Sequence, residues 1–159
     1  MDVYEFAIKM EQDGEQFYRR AASQTRDQGI KRIFDLLADD EVKHASTVRQ
    51  MQQAAPVQMA ETAILTDAKN VFAQMQGQPF SLERPQIDVY RQAQEIERKS
   101  IEFYENKATQ VVDPAHRALF GKIAEEERRH FFLLEHIIDF LARPEMWLEN
   151  AEFNHLEEY

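Results

Sequence analysis

An internal repeat constrains this chain more than any other feature. Shifted by 86 positions with no gap, Asp2-Val3-Tyr4 falls on Asp88-Val89-Tyr90, Ala7 on Ala93, Glu11 on Glu97, and Phe17-Tyr18 on Phe103-Tyr104. The same register lays Asp27 on Asp113, Phe34 on Phe120, Ala38 on Ala124, Glu41 on Glu127 and His44 on His130. Chance does not hold one register from residue 2 to residue 44 across core, capping and charged positions alike. The chain is two copies of one unit, and its fold must pack that unit against itself.

The unit is a helical hairpin. Apolar residues recur at helical spacing in four long segments, about 3–23, 28–53, 86–110 and 114–142. Val3, Phe6, Ala7, Met10, Phe17 and Ala21 share a broad face of the first; Ile30, Ile33, Phe34, Leu37, Val42 and Val48 form the stripe of the second. Asp27 is placed to cap the second segment, and Asp113-Pro114 to cap and open the fourth. Only 4 Gly and 5 Pro interrupt the chain, which favours long helices over sheet. Short turns within each pair of segments predict antiparallel hairpins at about 2–53 and 86–142. A crossover at about 54–85 links them and contains the helical stretch ETAILTDAKNVFAQM. The predicted fold is all-α, a ferritin-like four-helix bundle over 1–143 built from two duplicated hairpins with a long crossover. The segment 144–159 carries Trp147, Leu148, Phe153 and Leu156, and is expected to dock on the bundle or on a partner chain.

Charge and composition exclude several classes. With 19 Lys+Arg against 29 Asp+Glu, the net charge of −10 repels nucleic-acid phosphates and anionic membrane surfaces. No apolar run approaches the ~18 residues that a membrane span requires. The charged N-terminal stretch does not read as a signal peptide, and a soluble cytoplasmic protein is expected. The chain has no cysteine, so it can form neither a disulfide nor an all-cysteine iron site.

The repeat also duplicates chemistry. Glu41 and His44 stand three residues apart within DDEVKH, and Glu127 and His130 do the same within EEERRH, so each pair projects from one helix face. With Glu11 and Glu97 at matching positions on the other two helices, four carboxylates and two imidazoles converge inside the bundle. That is the ligand set of a di-iron or di-manganese carboxylate centre, in which two divalent cations neutralise carboxylates too costly to bury alone. Oxygen-rich donors with two imidazoles and no thiolate suit iron or manganese. Tyr18 and Tyr104 lie two turns after Glu11 and Glu97, either as hydrogen-bond donors to a ligand carboxylate or as aromatic core residues. Gly14 and Ser100 face inward one turn after those glutamates, and Gly14 provides space there. Glu95, Glu125 and Glu126 point off the ligand face and are expected in solvent. His116, His136 and His155 lack such partners and are expected on the surface or in the tail.

Through MEQDGEQFY, DDEVKH, EIERKSIEFY and EEERRH, taken in order, the chain resembles the rubrerythrin-like branch of the ferritin-like superfamily over nearly its whole length. The resemblance implies that Glu11, Glu41, His44, Glu97, Glu127 and His130 hold two iron ions, with Glu41 and Glu127 bridging them. It also implies reaction with hydrogen peroxide or dioxygen, and a homodimer. Two departures stand out. No cysteine is present for a rubredoxin domain, so electrons are expected from a separate donor protein. Ser100 stands where that family supplies a further glutamate, which brings the ligand set closer to a bacterioferritin-type centre. The reading is a di-iron oxidoreductase that reduces peroxide or dioxygen in protection against oxidative stress. The alternatives are an iron-storing ferroxidase, a manganese catalase, and a helical adaptor without metal.

Overall fold

The computed structural model describes residues 2–54, 59, 62–75 and 85–142. Its elements are α1 (Val3–Gln24), α2 (Gln28–Gln52), α3 (Ile64–Met75), α4 (Pro85–Ala108) and α5 (Pro114–Ala142). No strand occurs among the described residues, so the fold is all-α. No helix is long and apolar enough to cross a membrane among them.

Aspartates start α1, α2 and α5. The Asp2 carboxylate accepts from the Glu5 amide at 2.7 Å, that of Asp27 from Ile30 at 3.0 Å, and that of Asp113 from Ala115 at 2.8 Å. Each satisfies a first-turn N–H that has no partner inside its own helix. The α1–α2 and α4–α5 turns are too short for anything but antiparallel packing, and these two pairs form the hairpins. The hairpins meet along α1 against α4 and α2 against α5, while α3 of the crossover lies across α2 and α5.

The apolar core is divided. One cluster joins Tyr18, Ile33, Phe34 and Leu37 to Tyr90, Leu133, Leu134 and Ile137, and α3 adds Ile64, Ala68 and Val71. The other, at the opposite end, joins Ala7, Val48 and Met51 to Tyr104, Phe120, Ile123 and Ala124. Repeat-equivalent residues therefore sit at opposite ends. Tyr18 stacks on Phe34 in one cluster, and Tyr104 meets Phe120 edge-on in the other. A polar layer separates the clusters.

Several expectations need adjusting. α4 begins at Pro85 and ends at Ala108, slightly offset from the predicted 86–110. Two residues placed on apolar faces are exposed, Phe6 by 51% and Val42 by 43%. The cause for Val42 is geometric: with Glu41 and His44 turned inward, a residue one position on from Glu41 is rotated out of the core. Phe6 instead stacks on Phe103, with ring centroids 5.0 Å apart. The helix expected in the crossover is present as α3, and the tail at 144–159 lies outside the described residues.

Leu37 has no exposed surface, whereas Val112 is 89% exposed. Leu37→Ala is expected to cost about 2–5 kcal/mol in urea unfolding, and Val112→Ala to change stability by no more than about 0.5 kcal/mol.

Candidate metal centre

The polar layer between the apolar clusters contains all six acidic and histidine residues singled out by the repeat. α1 supplies Glu11, α4 Glu97, α2 Glu41 and His44, and α5 Glu127 and His130; each is at most 2% exposed. The spacing of three residues does what helix geometry requires, turning both members of each Glu/His pair inward together.

Both imidazoles aim Nδ1 at the middle of the layer. His44 Nδ1 lies 2.8 Å from Glu127 Oε1 and 3.5 Å from Glu11 Oε2. His130 Nδ1 lies 3.2 Å from Glu41 Oε1, 3.3 Å from Glu97 Oε1 and 3.5 Å from Glu127 Oε2. One potential donor atom each from Glu11, Glu41, His44 and Glu127 falls within 4.8 Å of the others, and the same holds for Glu41, Glu97, Glu127 and His130. The two groups share Glu41 and Glu127. The centroids of the two imidazole rings lie 6.0 Å apart.

Crowding like charges in a dry layer moves their proton affinities. Burial pushes the Glu41 carboxyl well above its ordinary value, and the charges of Glu11, Glu127 and Glu97 push it further. Glu97 is raised by burial and by Glu127. Burial alone would lower both histidines, but surrounding carboxylates, chiefly Glu11 for His44 and Glu97 for His130, raise them well above the usual imidazole value. Glu127 runs the other way: burial opposes its ionisation, but hydrogen bonding with Glu97 and the His44 charge hold it low.

A surrounding ring of hydrogen bonds fixes this layer, and it crosses between hairpins. Tyr18 donates to Glu97 Oε1, and Tyr104 donates to Glu11 Oε1 at 2.6 Å. Each tyrosine thus serves the glutamate of the opposite copy. His44 Nε2 donates to Glu126 Oε1 at 2.8 Å, and His130 Nε2 donates to Asp40 Oδ2 at 2.8 Å. Held through Nε2, a ring that gave up its Nδ1 proton to a cation would turn that nitrogen's lone pair towards the centre. Burial is the largest influence on Asp40 and Glu126 and opposes their ionisation, but the hydrogen bonds and charges of His130, Thr62 and Lys43 around Asp40, and of His44 and Lys43 around Glu126, together hold both carboxyls below their ordinary range.

Glu126 corrects the sequence reading. Expected in solvent, it is 3% exposed, bonded to His44, to Lys43 Nζ at 3.0 Å and to the Thr62 amide at 3.1 Å. It was misplaced because helix periodicity alone orients it off the ligand face, and that direction points into the flank of the facing hairpin. Asp40 and Thr62 went unnoticed. The usable signal was the repeat, since Asp40 and Glu126 share the same register position and are both acidic. Glu95 and Glu125 are exposed as expected. His116 is half-buried and bonded to the Tyr4 hydroxyl at 3.1 Å, not a free surface residue. His136 is also half-buried, and His155 lies outside the described residues.

The layer fits divalent cations. Among the described residues, all four glutamates keep a buried oxygen with no hydrogen-bond partner: Glu11 Oε2, Glu41 Oε1, Glu97 Oε2 and Glu127 Oε2. Oxygens left bare in a dry interior are destabilising by about 1–3 kcal/mol each, more when charged, and cations among them would supply the missing partner. Oxygen and imidazole donors without thiolate match iron or manganese.

A helical bundle whose buried middle layer holds four carboxylates and two imidazoles defines the ferritin-like class of di-metal carboxylate proteins. The Rubrerythrin family model matches residues 2–138, and the chain belongs to the rubrerythrin family. Comparison with curated proteins and with solved structures yields no match.

Gly14 is shaped by the site. A Cβ there would come within 2.9 Å of Glu41 Oε2, whereas one at Gly121 on α5 would meet nothing within 4 Å. Ser100, its repeat equivalent, is buried. Gly121→Ala is expected to stabilise the metal-free chain by about 0.5–1 kcal/mol through helix propensity. Gly14→Ala should gain less than that or lose stability, because the Glu41 carboxylate must move; paired denaturant titrations read the difference.

Proposed function

We propose that the chain is a di-iron oxidoreductase that reduces hydrogen peroxide with electrons from a separate donor protein. In this reading Glu11, Glu41, His44 and Glu127 hold one ion, and Glu41, Glu97, Glu127 and His130 the other. The observation that carries it is the sharing of Glu41 and Glu127 by two overlapping donor groups whose four glutamates each retain a bare oxygen. Four carboxylates balance the charge of two divalent ions, and the histidines add neutral donors. Family membership implies the same kind of centre.

The bound metals would supply Lewis acidity and two electrons. The protein's own residues do the rest. Tyr18 and Tyr104 keep the Glu97 and Glu11 carboxylates in fixed orientations, and their phenol protons are tightly held, because burial and the adjoining carboxylates raise both well above the ordinary value. Asp40 and Glu126 set the imidazole orientation. The apolar clusters on either side exclude water from the layer. Peroxide reduction consumes two electrons and two protons and releases two waters. The chain offers no thiol as an internal electron source, which is why a donor protein is part of the proposal. We place this activity in the reducing cytoplasm, in a homodimer.

The test begins with anaerobic Fe(II) titration, where two equivalents per chain are expected. Metal at a hundredfold its Kd should raise stability by about 2.7 kcal/mol per independent site. Glu127→Ala, which removes a residue common to both groups, should abolish both equivalents, and Glu11→Ala should weaken one. Loaded protein is then mixed with peroxide or dioxygen while near-ultraviolet absorption of the oxidised centre is followed. Oxidation far faster with peroxide supports the reading. Preference for dioxygen, together with a cage-sized particle in solution, would instead identify a ferroxidase, and peroxide disproportionation without a donor a manganese catalase.

A further inference from the structure

Thr62 lies in the crossover ahead of α3, outside both copies of the repeat, yet it touches the outer carboxylate of each. Its hydroxyl donates to Asp40 Oδ2, the same oxygen that accepts from His130 Nε2 at 2.8 Å. Its backbone N–H donates at 3.1 Å to Glu126 Oε2, and the other oxygen of that carboxylate accepts from His44 Nε2 at 2.8 Å. One residue therefore closes the chain His44–Glu126–Thr62–Asp40–His130.

We propose that Thr62 is a positioning residue that orients both site histidines at once, and that it serves the two halves of the centre by unequal means. The proposal rests on the metal reading given above. An imidazole ligand keeps its ring plane and tautomer through the acceptor at its second nitrogen, and that acceptor works only if it is itself held. On the His44 side Glu126 is held by a main-chain amide, which substitution of Thr62 by Val or Ser leaves in place, and by Lys43 Nζ at 3.0 Å. On the His130 side Asp40 depends on the Thr62 hydroxyl, because Lys43 stands 3.9 Å from its other oxygen, beyond hydrogen-bond reach. The repeat makes Asp40 and Glu126 equivalent, and a single crossover residue makes them unequal.

Thr62→Val keeps the shape and the amide but removes the hydroxyl. Its effect should fall on the group of Glu41, Glu97, Glu127 and His130 alone. The hydroxyl also accepts from the Ile64 amide at 3.1 Å, so it caps α3 as well. Loss of that cap weakens the fold as a whole and has no reason to single out one metal equivalent.

The experiment uses the full chain, checked for helical content by circular dichroism, with Fe(II) titrated anaerobically and Co(II) loaded in parallel for NMR. In Thr62→Val one Fe(II) equivalent should weaken by about 10–100-fold while the other keeps its wild-type affinity. Of the two exchangeable imidazole N–H resonances shifted by Co(II), one should broaden through faster exchange with water. Thr62→Ser, which restores the hydroxyl, should return both measures to wild type. Equal weakening of both equivalents, or no change in either, overturns the proposal while leaving the metal reading intact. A wild-type chain that binds no metal overturns both.

Discussion

Four carboxylates buried within one layer of a helical bundle are the constraint around which this molecule is arranged. An ion taken out of water costs several kcal/mol even after relaxation, and here Glu11, Glu41, Glu97 and Glu127 are all at most 2% exposed. Their neighbours offset only part of this. Tyrosines cover one oxygen each of Glu11 and Glu97, and imidazoles approach Glu41 and Glu127, yet every one of the four keeps an oxygen without a donor. Stability must come from elsewhere, and the apolar clusters at the two ends provide it. They clamp the four helices on either side of the polar layer and hold the donor atoms together. A pre-positioned donor set is the condition for a site that selects geometry as well as charge.

Duplication has a structural consequence beyond economy of sequence. The bonds that orient the layer from outside run between the two copies: Tyr18 to Glu97, Tyr104 to Glu11, His44 to Glu126 and His130 to Asp40. A hairpin alone supplies half of each pair and none of the pairs complete. Docking of the hairpins and formation of the site are consequently one event. The exchange also explains why the equivalents Tyr18 and Tyr104 end in opposite clusters: each tyrosine sits beyond its own glutamate and reaches back to the glutamate of the other copy.

Much of this was legible in the sequence, and what was not has a physical reason. The gapless offset carried the hairpins, their aspartate caps and the Glu/His spacing, because helix periodicity maps one-dimensional distance onto a face. Tyr18 and Tyr104 were legible as inward-facing, but whether they were donors or core was open, since that depends on which helix stands opposite. Glu126 was misread for the same reason. Periodicity says where a residue leaves its own helix and nothing about what it meets, and a direction that looks like solvent on one hairpin is the flank of the next. Thr62 was beyond reach, because a loop residue is brought to its partners by the path of the crossover, which no pattern encodes. Val42 shows the converse error. Its apolar side chain suggested core, but the inward direction of α2 at that level was already committed to Glu41 and His44.

The departures from exact repetition fall next to the site. Gly14 leaves room beside Glu41 Oε2, where its counterpart Ser100 carries a side chain. By the repeat, Ser100 corresponds to Gly14 and Glu127 to Glu41, so the close approach that a missing side chain allows Glu41 is matched in the other half by a position that carries one. Glu127 is in addition tied to His44 Nδ1 at 2.8 Å. Thr62 adds the third inequality, a hydroxyl for one outer carboxylate and an amide for the other. A centre with two equal halves would bind two ions alike and have no preferred face for a reactant. Three unequal contacts around an otherwise symmetric layer distinguish its halves, and they do so through residues that hold or make room for the donor groups, leaving the donors themselves duplicated.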